Sequence, residues 1–180
     1  EINSLQLLSN GSVDGFIMSM AQETQVANKV DHINAILSQN IPIVLFDRVS
    51  EDIDCDKVII DDFGAAYEAT KHLLSEGRKH IVLVSDIDEL SVGKLRTSGY
   101  LEALSEASNY TSEPVVVTTK KGKSIEEVIE QLFIDNSHID AIISIDNTTG
   151  VIALQKALNL NFSIPKELSI IGFSDENVLQ

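Results

Sequence analysis

Short apolar runs alternate with stretches of helical periodicity along this chain. The apolar runs have the length of β-strands, and we predict strands at 13–20, 41–48, 57–61, 80–85, 115–119, 141–145 and 168–173. Apolar residues that recur at helical spacing predict helices at 26–39, 63–76, 92–108, 125–135 and 147–158. Because the strands are almost continuously apolar, both faces of their sheets should be covered by helices. The alternation therefore predicts a doubly wound α/β fold with parallel sheets.

Local signals indicate several of the helix ends. Asp62 is placed to cap the helix that follows it, and Gly77 can supply the left-handed residue that ends that helix. Ser124 and Glu127 have the spacing of a capping box. The inward face of the helix at 92–108 is expected to carry Leu95, Tyr100, Leu101 and Leu104.

The composition limits the classes of function. The chain of 180 residues is 43% hydrophobic, which is enough for a core, and its net charge is −15. A surface this acidic repels a phosphate backbone, which argues against direct binding of nucleic acid. The single cysteine, Cys55, excludes an internal disulfide and fits a reducing compartment. The sequence has no apolar run long enough to span a membrane, and its first residues lack the pattern of a signal peptide.

The strand and helix sets divide most naturally between Asp61 and Asp62. Residues 1–61 hold too few predicted strands for a complete sheet, whereas 62–180 hold a longer set. We therefore expect two lobes with a boundary at this point.

Polar residues follow several predicted strands, at the edge where open α/β sheets bind ligands. These positions are Ser19, Asp47, Asp146 and Ser174, together with the loop after residue 85. Several such groups facing one another would suit a hydroxyl-rich ligand. Each of them is also explained as a helix cap or a turn residue, and Asp146 can serve in both ways.

Arg96 is expected about one turn into its helix, where the helix dipole already supplies positive potential. A cation is locally unfavourable there, so a role in anchoring a hydroxyl or carboxylate would explain its presence. The alternative is a surface arginine that pairs with an acidic residue.

Patterns typical of enzymes are absent from the sequence. The four histidines are scattered without the spacing of metal ligands, and no phosphate-binding or nucleophile motif occurs. Asp61 and Asp62 form an adjacent acidic pair, but a strand end followed by a helix cap explains both. The acidic residues around Cys55 disfavour a thiolate and so argue against an activated thiol.

Six segments, in this order and spacing, resemble one protein family: VDGFI, IPIVLFDR, DDFGAAYEATKHLLSEGRKHIVLVS, RTSGYLEAL, AIISIDNTTGVIALQKAL and IPKELSIIGFSDE. They are similar to the effector-binding domain of LacI/GalR-family bacterial transcription regulators, from Ser12 onward. The resemblance implies a two-lobed fold like that of the periplasmic sugar-binding proteins. It makes 1–61 part of the N-terminal lobe and 62–180 most of the C-terminal lobe. It also implies that a DNA-binding headpiece and parts of both lobes lie outside this chain.

The resemblance assigns roles to four of the candidate residues. Arg96 matches the arginine that contacts the effector in many members of the family. Asp146 matches a polar residue that binds ligand hydroxyls. Asp47 matches a cleft-facing aspartate of the N-terminal lobe, and Ser19 matches a polar position at the neighbouring strand end.

Two further candidates depart from the family pattern. Ser174 replaces a carboxylate that often clamps a sugar. Lys123 occupies a loop position that is often aromatic, and it could favour an anionic or phosphorylated effector.

By the same resemblance, the chain is the effector-sensing and dimerisation domain of a cytoplasmic, homodimeric regulator that reaches operator DNA through the missing headpiece. A small effector, a sugar or a sugar derivative, would close the lobes and alter operator affinity. The alternative is a periplasmic sugar-binding protein of a transporter, while an enzyme, a cofactor and a metal are not expected. An Arg96→Ala variant is expected to lose effector binding while its fold stays intact.

Overall fold

Strands and helices alternate along the chain in the computed structural model, which describes residues 1–119 and 122–173. The helices are α1 (Ile2–Leu8), α2 (Gln22–Ala27), α3 (Asp31–Leu37), α4 (Asp62–Ser75), α5 (Ser91–Glu106), α6 (Ile125–Asp135) and α7 (Asn147–Asn159). The strands are β1 (Phe16–Met18), β2 (Ile43–Phe46), β3 (Asp56–Val58), β4 (Ile81–Ser85), β5 (Val115–Thr118), β6 (Ala141–Ser144) and β7 (Ser169–Gly172). Every strand pairing in the described residues is parallel, which confirms the predicted α/β class.

The chain forms two compact units. Unit 1 contains Glu1–Asp61 together with Glu89–Val92. Unit 2 contains Asp62–Asp88 and the described residues from Gly93 onward.

Unit 1 has a three-stranded sheet in the order β1-β2-β3. Its core is built on the inward residues of β2 and on α3, where Leu45 and Ile33 are fully buried. Met20 and Ile53, which follow β1 and precede β3, complete this core. β1 and β3 are shorter than the strands that the apolar runs at 13–20 and 57–61 predicted.

The prediction of a single helix at 26–39 is wrong, because the structure has two helices, α2 and α3, in this region. Asn28 ends α2 in the left-handed conformation, with φ at 50°. Asparagine is one of the few residues other than glycine that adopts this conformation readily, so the chain can break here although the apolar spacing continues. Helical periodicity alone does not reveal such a break.

The carboxylate of Glu1 connects α2 to α3 within unit 1. One oxygen accepts a hydrogen bond from the backbone N–H of Ala21 at 2.6 Å, and the other lies 2.8 Å from the Thr24 hydroxyl and 2.6 Å from Nε2 of His32. Burial alone would raise the pKa of this carboxyl. The hydrogen bonds and the nearby His32 outweigh burial, and they lower the pKa below its ordinary value of 4.5.

Unit 2 has a four-stranded sheet in the order β5-β4-β6-β7. The central strands β4 and β6 are buried at every residue, as expected of strands covered on both faces. Alternate residues of β4 point to opposite faces. Val82 and Val84 pack with α6 and α7, while Ile81 and Leu83 pack with α4 and α5.

Several predicted helix ends are confirmed in unit 2. Ser124 and Glu127 form a reciprocal capping box at the start of α6. Gly77 adopts the left-handed conformation after α4, with φ at 82°. Asp62, however, lies within α4 as its first residue, and its carboxylate takes part in a different contact that is described with the functional site.

The predicted inward face of α5 is partly wrong. Tyr100 and Leu104 are buried, but Leu95 and Leu101 are 45% and 40% exposed. The buried stripe also contains Gly99, which packs so closely on α4 that an added Cβ would meet the carbonyl oxygen of Phe63. This close contact between backbones fixes the rotation of α5 and leaves the two leucines on the flanks of the stripe.

Replacing Gly99 with alanine should destabilise unit 2 by about 1–3 kcal/mol, because the new methyl group would overlap rigid backbone atoms of α4. Gly172→Ala is the matched control, since an added Cβ there meets no atom within 4 Å. Urea denaturation followed by circular dichroism measures both variants. Equal stabilities for the two variants would contradict the proposed packing.

Lowering the pH should selectively weaken the Glu1 contacts. The folded-state pKa of Glu1 is depressed, so its stabilisation is complete above the ordinary value of 4.5 and is lost as the pH falls through the lowered value. Thermal unfolding between neutral and acidic pH should show a steeper loss for the native chain than for Glu1→Gln. Glu23→Gln, at an exposed position of α2, should retain the native slope, and a Glu1→Gln slope equal to the native one would refute the assignment.

Candidate functional site

Arg96 and Asp62 form a buried ion pair at the carboxyl edge of the unit 2 sheet. Arg96 lies in the second turn of α5, and Asp62 is the first residue of α4. The Nε of Arg96 donates to Oδ1 of Asp62 at 2.8 Å, and Nη2 lies 2.7 Å from the same oxygen. The two side chains are only 12% and 5% exposed. The acidic partner foreseen as one alternative for Arg96 therefore exists, but the pair is buried and not on the surface.

Two further contacts enclose the guanidinium. Nη1 of Arg96 donates to the backbone carbonyl of Ile145 at 2.7 Å, just after β6. The ring of Phe173, just after β7, lies 4.5 Å from the guanidinium carbon, which is a favourable distance for a cation–π contact. Arg96 thus joins the starts of two helices to the ends of two strands.

Asp146 is the N-cap of α7, so the capping role foreseen for it is observed. One carboxylate oxygen accepts from the backbone N–H of Thr149 at 2.9 Å. The other accepts from the Thr149 hydroxyl and from the backbone N–H of Asp86, each at 2.9 Å. Asp146 therefore also ties the loop after β4 to the end of β6.

Asp86 lies exposed directly after β4, and its carboxylate accepts a hydrogen bond from the hydroxyl of Thr119, just after β5. The sequence indicated this loop but did not single out the residue. Its only signal is the position immediately after a strand.

Ser19 and Asp47 lie at the ends of β1 and β2 in unit 1. Asp47 is exposed and has a positive φ of 59°, which is uncommon for a residue other than glycine and is most often tolerated by Asn and Asp. Oγ of Ser19 is 3.4 Å from the backbone nitrogen of Arg48, whose Nε donates to the carbonyl of Met20 at 2.7 Å. The carboxylate of Asp47 itself is 4.0 Å from Nη1 of Arg48, so it is only weakly held.

Two predicted site residues contribute less to this geometry. Lys123 is exposed in the loop between β5 and α6. Ser174 lies outside the described residues. The structure thus brings Arg96 and Asp146 to one sheet edge in unit 2, and Ser19 and Asp47 to one sheet edge in unit 1.

Sequence reasoning did not find Asp62 or Phe173 as neighbours of Arg96. Asp62 precedes Arg96 by 34 residues, and Phe173 follows it much later in the chain, so no local spacing connects them. Only the stacking of α4 and α5 against adjacent strands brings the three together.

No group of three or more His, Cys, Asp or Glu side chains in 1–119 and 122–173 could hold a metal ion. None of the helices described above is long and apolar enough to cross a membrane.

The parallel sheets and the polar groups at their carboxyl edges define an α/β protein of the class that binds small molecules at these edges. The chain belongs to a known family within this class, described as periplasmic binding proteins and sugar binding domain of LacI family. The family model matches residues 1–179.

Individual relatives support the same assignment. The chain is 29% identical to the HTH-type transcriptional regulator DegA of Bacillus subtilis over 97% of its own length and 51% of that protein. A LacI family regulator from Enterococcus faecium, solved with bound ribose, has a TM-score of 0.78 at 26% identity, covering 95% of this chain and 62% of that one. GanP, a glucose-galactose binding protein from Geobacillus stearothermophilus, has a TM-score of 0.80 at 18% identity, covering 98% of this chain and 62% of that one, which shows the fold alone. This chain spans about half the length of the curated relatives it matches.

The structure does not support the expectation that Arg96→Ala leaves the fold intact. Removal of Arg96 would leave the Asp62 carboxylate buried without its partner, which typically costs about 3–5 kcal/mol. Lys156→Ala is the matched control, because Lys156 pairs with Glu130 at the same 2.7 Å but with 28% and 59% exposed side chains. An exposed pair of this kind contributes at most about 1 kcal/mol.

Urea denaturation of both variants tests this difference. We expect a large loss of unfolding free energy for Arg96→Ala and a small one for Lys156→Ala. Similar small losses would mean that the Arg96–Asp62 pair does not stabilise unit 2.

Proposed function

We propose that this chain is the effector-sensing part of a cytoplasmic bacterial regulator of transcription. The observation that carries the proposal is the similarity to DNA-binding regulators along almost the whole chain. The sugar-binding description of the family and the ribose bound to the E. faecium relative favour a sugar or a sugar derivative as the effector. Unit 1 would be part of the N-terminal lobe, and unit 2 most of the C-terminal lobe.

Candidate effector contacts are assigned in each unit by itself, at the carboxyl edge of its sheet. In unit 2 these are Arg96 and Asp146, with Lys123 from the loop after β5, and the family pattern adds Ser174, which lies outside the described residues. In unit 1 they are Ser19 and Asp47. The capping role of Asp146 is compatible with ligand binding, because a carboxylate oxygen that accepts from the Thr149 N–H has a second lone pair that can accept a further hydrogen bond.

Operator DNA would be bound by residues outside this chain. The net charge of −15 makes the chain itself a poor partner for a phosphate backbone. The functional regulator would be a homodimer, and its effector would control DNA binding by favouring one conformation over another. Such control is limited by the difference in effector affinity between the two conformations.

A periplasmic binding protein of a transporter is the weaker alternative. Such proteins share the fold, as GanP illustrates, but its 18% identity supports nothing beyond the fold. The curated relatives at 26–29% identity are regulators. Neither of these relatives is named as an enzyme.

A ligand screen by thermal unfolding tests the effector-sensing proposal. The panel should contain ribose, cellobiose, their phosphorylated counterparts and free nucleobases. One chemical class should stabilise the chain in a saturable manner, since a ligand at 100 times its Kd adds about 2.7 kcal/mol to the free energy of unfolding.

Asp47→Asn then tests the site. The change removes the charge but keeps a residue that tolerates positive φ, and loss of a charge-assisted hydrogen bond should weaken binding about tenfold or more. Asp54→Asn, an exposed position in the same unit, is the control and should bind normally. If no class of ligand stabilises the chain, the proposed function is contradicted. If Asp47→Asn and Asp54→Asn bind the ligand equally well, the proposed site is contradicted.

A further inference from the structure

The charge of Arg96 is already balanced inside unit 2. Its guanidinium is 2.7–2.8 Å from the Asp62 carboxylate, and both side chains are nearly enclosed. At such a distance and away from bulk water, the two charges cancel one another for any ligand that approaches. Arg96 therefore offers hydrogen-bond donors more than it offers net positive charge.

Among the residues that the structure describes, the charged groups that follow β4 and β6 at this edge are acidic. Asp86 follows β4 and Asp146 follows β6, and the backbone N–H of Asp86 donates to the Asp146 carboxylate at 2.9 Å. With Asp62, three carboxylates accompany the Arg96 guanidinium within residues 1–119 and 122–173. Lys123 is exposed in the loop after β5, and the attraction of a solvated ammonium is strongly screened. From the described groups, an anionic ligand would thus meet more repulsion than attraction.

The remaining donors of Arg96 suit a neutral acceptor. A guanidinium has five N–H groups, of which Nε–H is directed to Asp62 and one of the Nη1 hydrogens to Ile145, while Nη2 contacts Asp62 as well. At least one N–H group of Nη1 is free of these contacts. A hydroxyl or ring oxygen can accept from it without bringing a second negative charge to the edge.

We propose that Asp62 is a positioning and specificity-determining residue. It fixes the orientation of the Arg96 fork and neutralises its charge, so that the site selects an uncharged, hydroxyl-bearing ligand over the phosphorylated or carboxylated form of the same molecule. The inference rests on the proposed function in one respect, namely that Arg96 contacts the effector. It opposes the phosphorylated effector that Lys123 suggested from the sequence.

Phosphate binding at Arg96 provides a test that requires no knowledge of the effector. Nitrogen-15 NMR observes the Nε–H signal of Arg96, which Arg96→Lys identifies by its disappearance. In the native chain, titration with inorganic phosphate should produce no saturable shift of this signal. In Asp62→Asn, which keeps the shape and the acceptor oxygen but removes the charge, the same titration should produce a saturable shift. The half-maximal shift in Asp62→Asn should occur at least about tenfold below the highest phosphate concentration tested on the native chain, which is the size of one uncompensated charge-assisted hydrogen bond.

Glu130→Gln is the control for a general loss of negative charge. It releases Lys156 from an exposed ion pair in the same unit, and it should leave the Arg96 signal as insensitive to phosphate as in the native chain. A merely structural role for Asp62 would change stability in Asp62→Asn without creating phosphate affinity at Arg96.

Either of two results would overturn the inference. One is a saturable phosphate shift of Arg96 in the native chain, which decides the matter even if Asp62→Asn does not fold. The other is a folded Asp62→Asn variant whose Arg96 signal stays insensitive to phosphate. Both leave the effector-sensing proposal standing, because that proposal is tested separately by the sugar panel.

Discussion

The buried pair of Arg96 and Asp62 is the constraint on which the carboxyl edge of the unit 2 sheet depends. A guanidinium at the start of a helix and in a largely enclosed position is unfavourable unless a carboxylate compensates it. Asp62, the first residue of α4, supplies that carboxylate. The carbonyl oxygen of Ile145 accepts a second hydrogen bond from the guanidinium, and the ring of Phe173 packs against one face of it. The contacts that stabilise the buried arginine also hold its remaining donors in a fixed direction, so the same atoms would serve both stability and the proposed recognition of the ligand.

The packing of α5 makes this arrangement possible. Gly99 allows α5 to approach the backbone of α4 closely, and Tyr100 fills the core beneath it. Arg96 lies one turn earlier on the same helix and is thereby brought to the start of α4. Asp146 completes the edge by capping α7 and holding the loop after β4. The site is therefore a product of how two helices and two strand ends meet, and no single loop forms it.

Sequence patterns were sufficient for the alternation of strands and helices, the capping box at Ser124 and the left-handed Gly77, because each depends on neighbours within a few positions. They also indicated Asp146 through the rule for strand ends, and Arg96 through its position near the start of a helix. They were insufficient at Asn28, where a tolerated left-handed residue splits one periodic stretch into two helices. They also failed for Leu95 and Leu101, since the rotation of α5 is set by Gly99 on α4. The pairing of Asp62 with Arg96 spans 34 residues and depends on tertiary packing.

A crystal structure of the chain with the ligand that the sugar panel selects tests the central claim most directly. The account predicts that Arg96 keeps its contacts with Asp62 and Ile145 while a free N–H donates to an uncharged oxygen of the ligand. A ligand bound away from the carboxyl edge of β4 and β6, or an Arg96 side chain that leaves Asp62 to pair with a negatively charged ligand group, would contradict it.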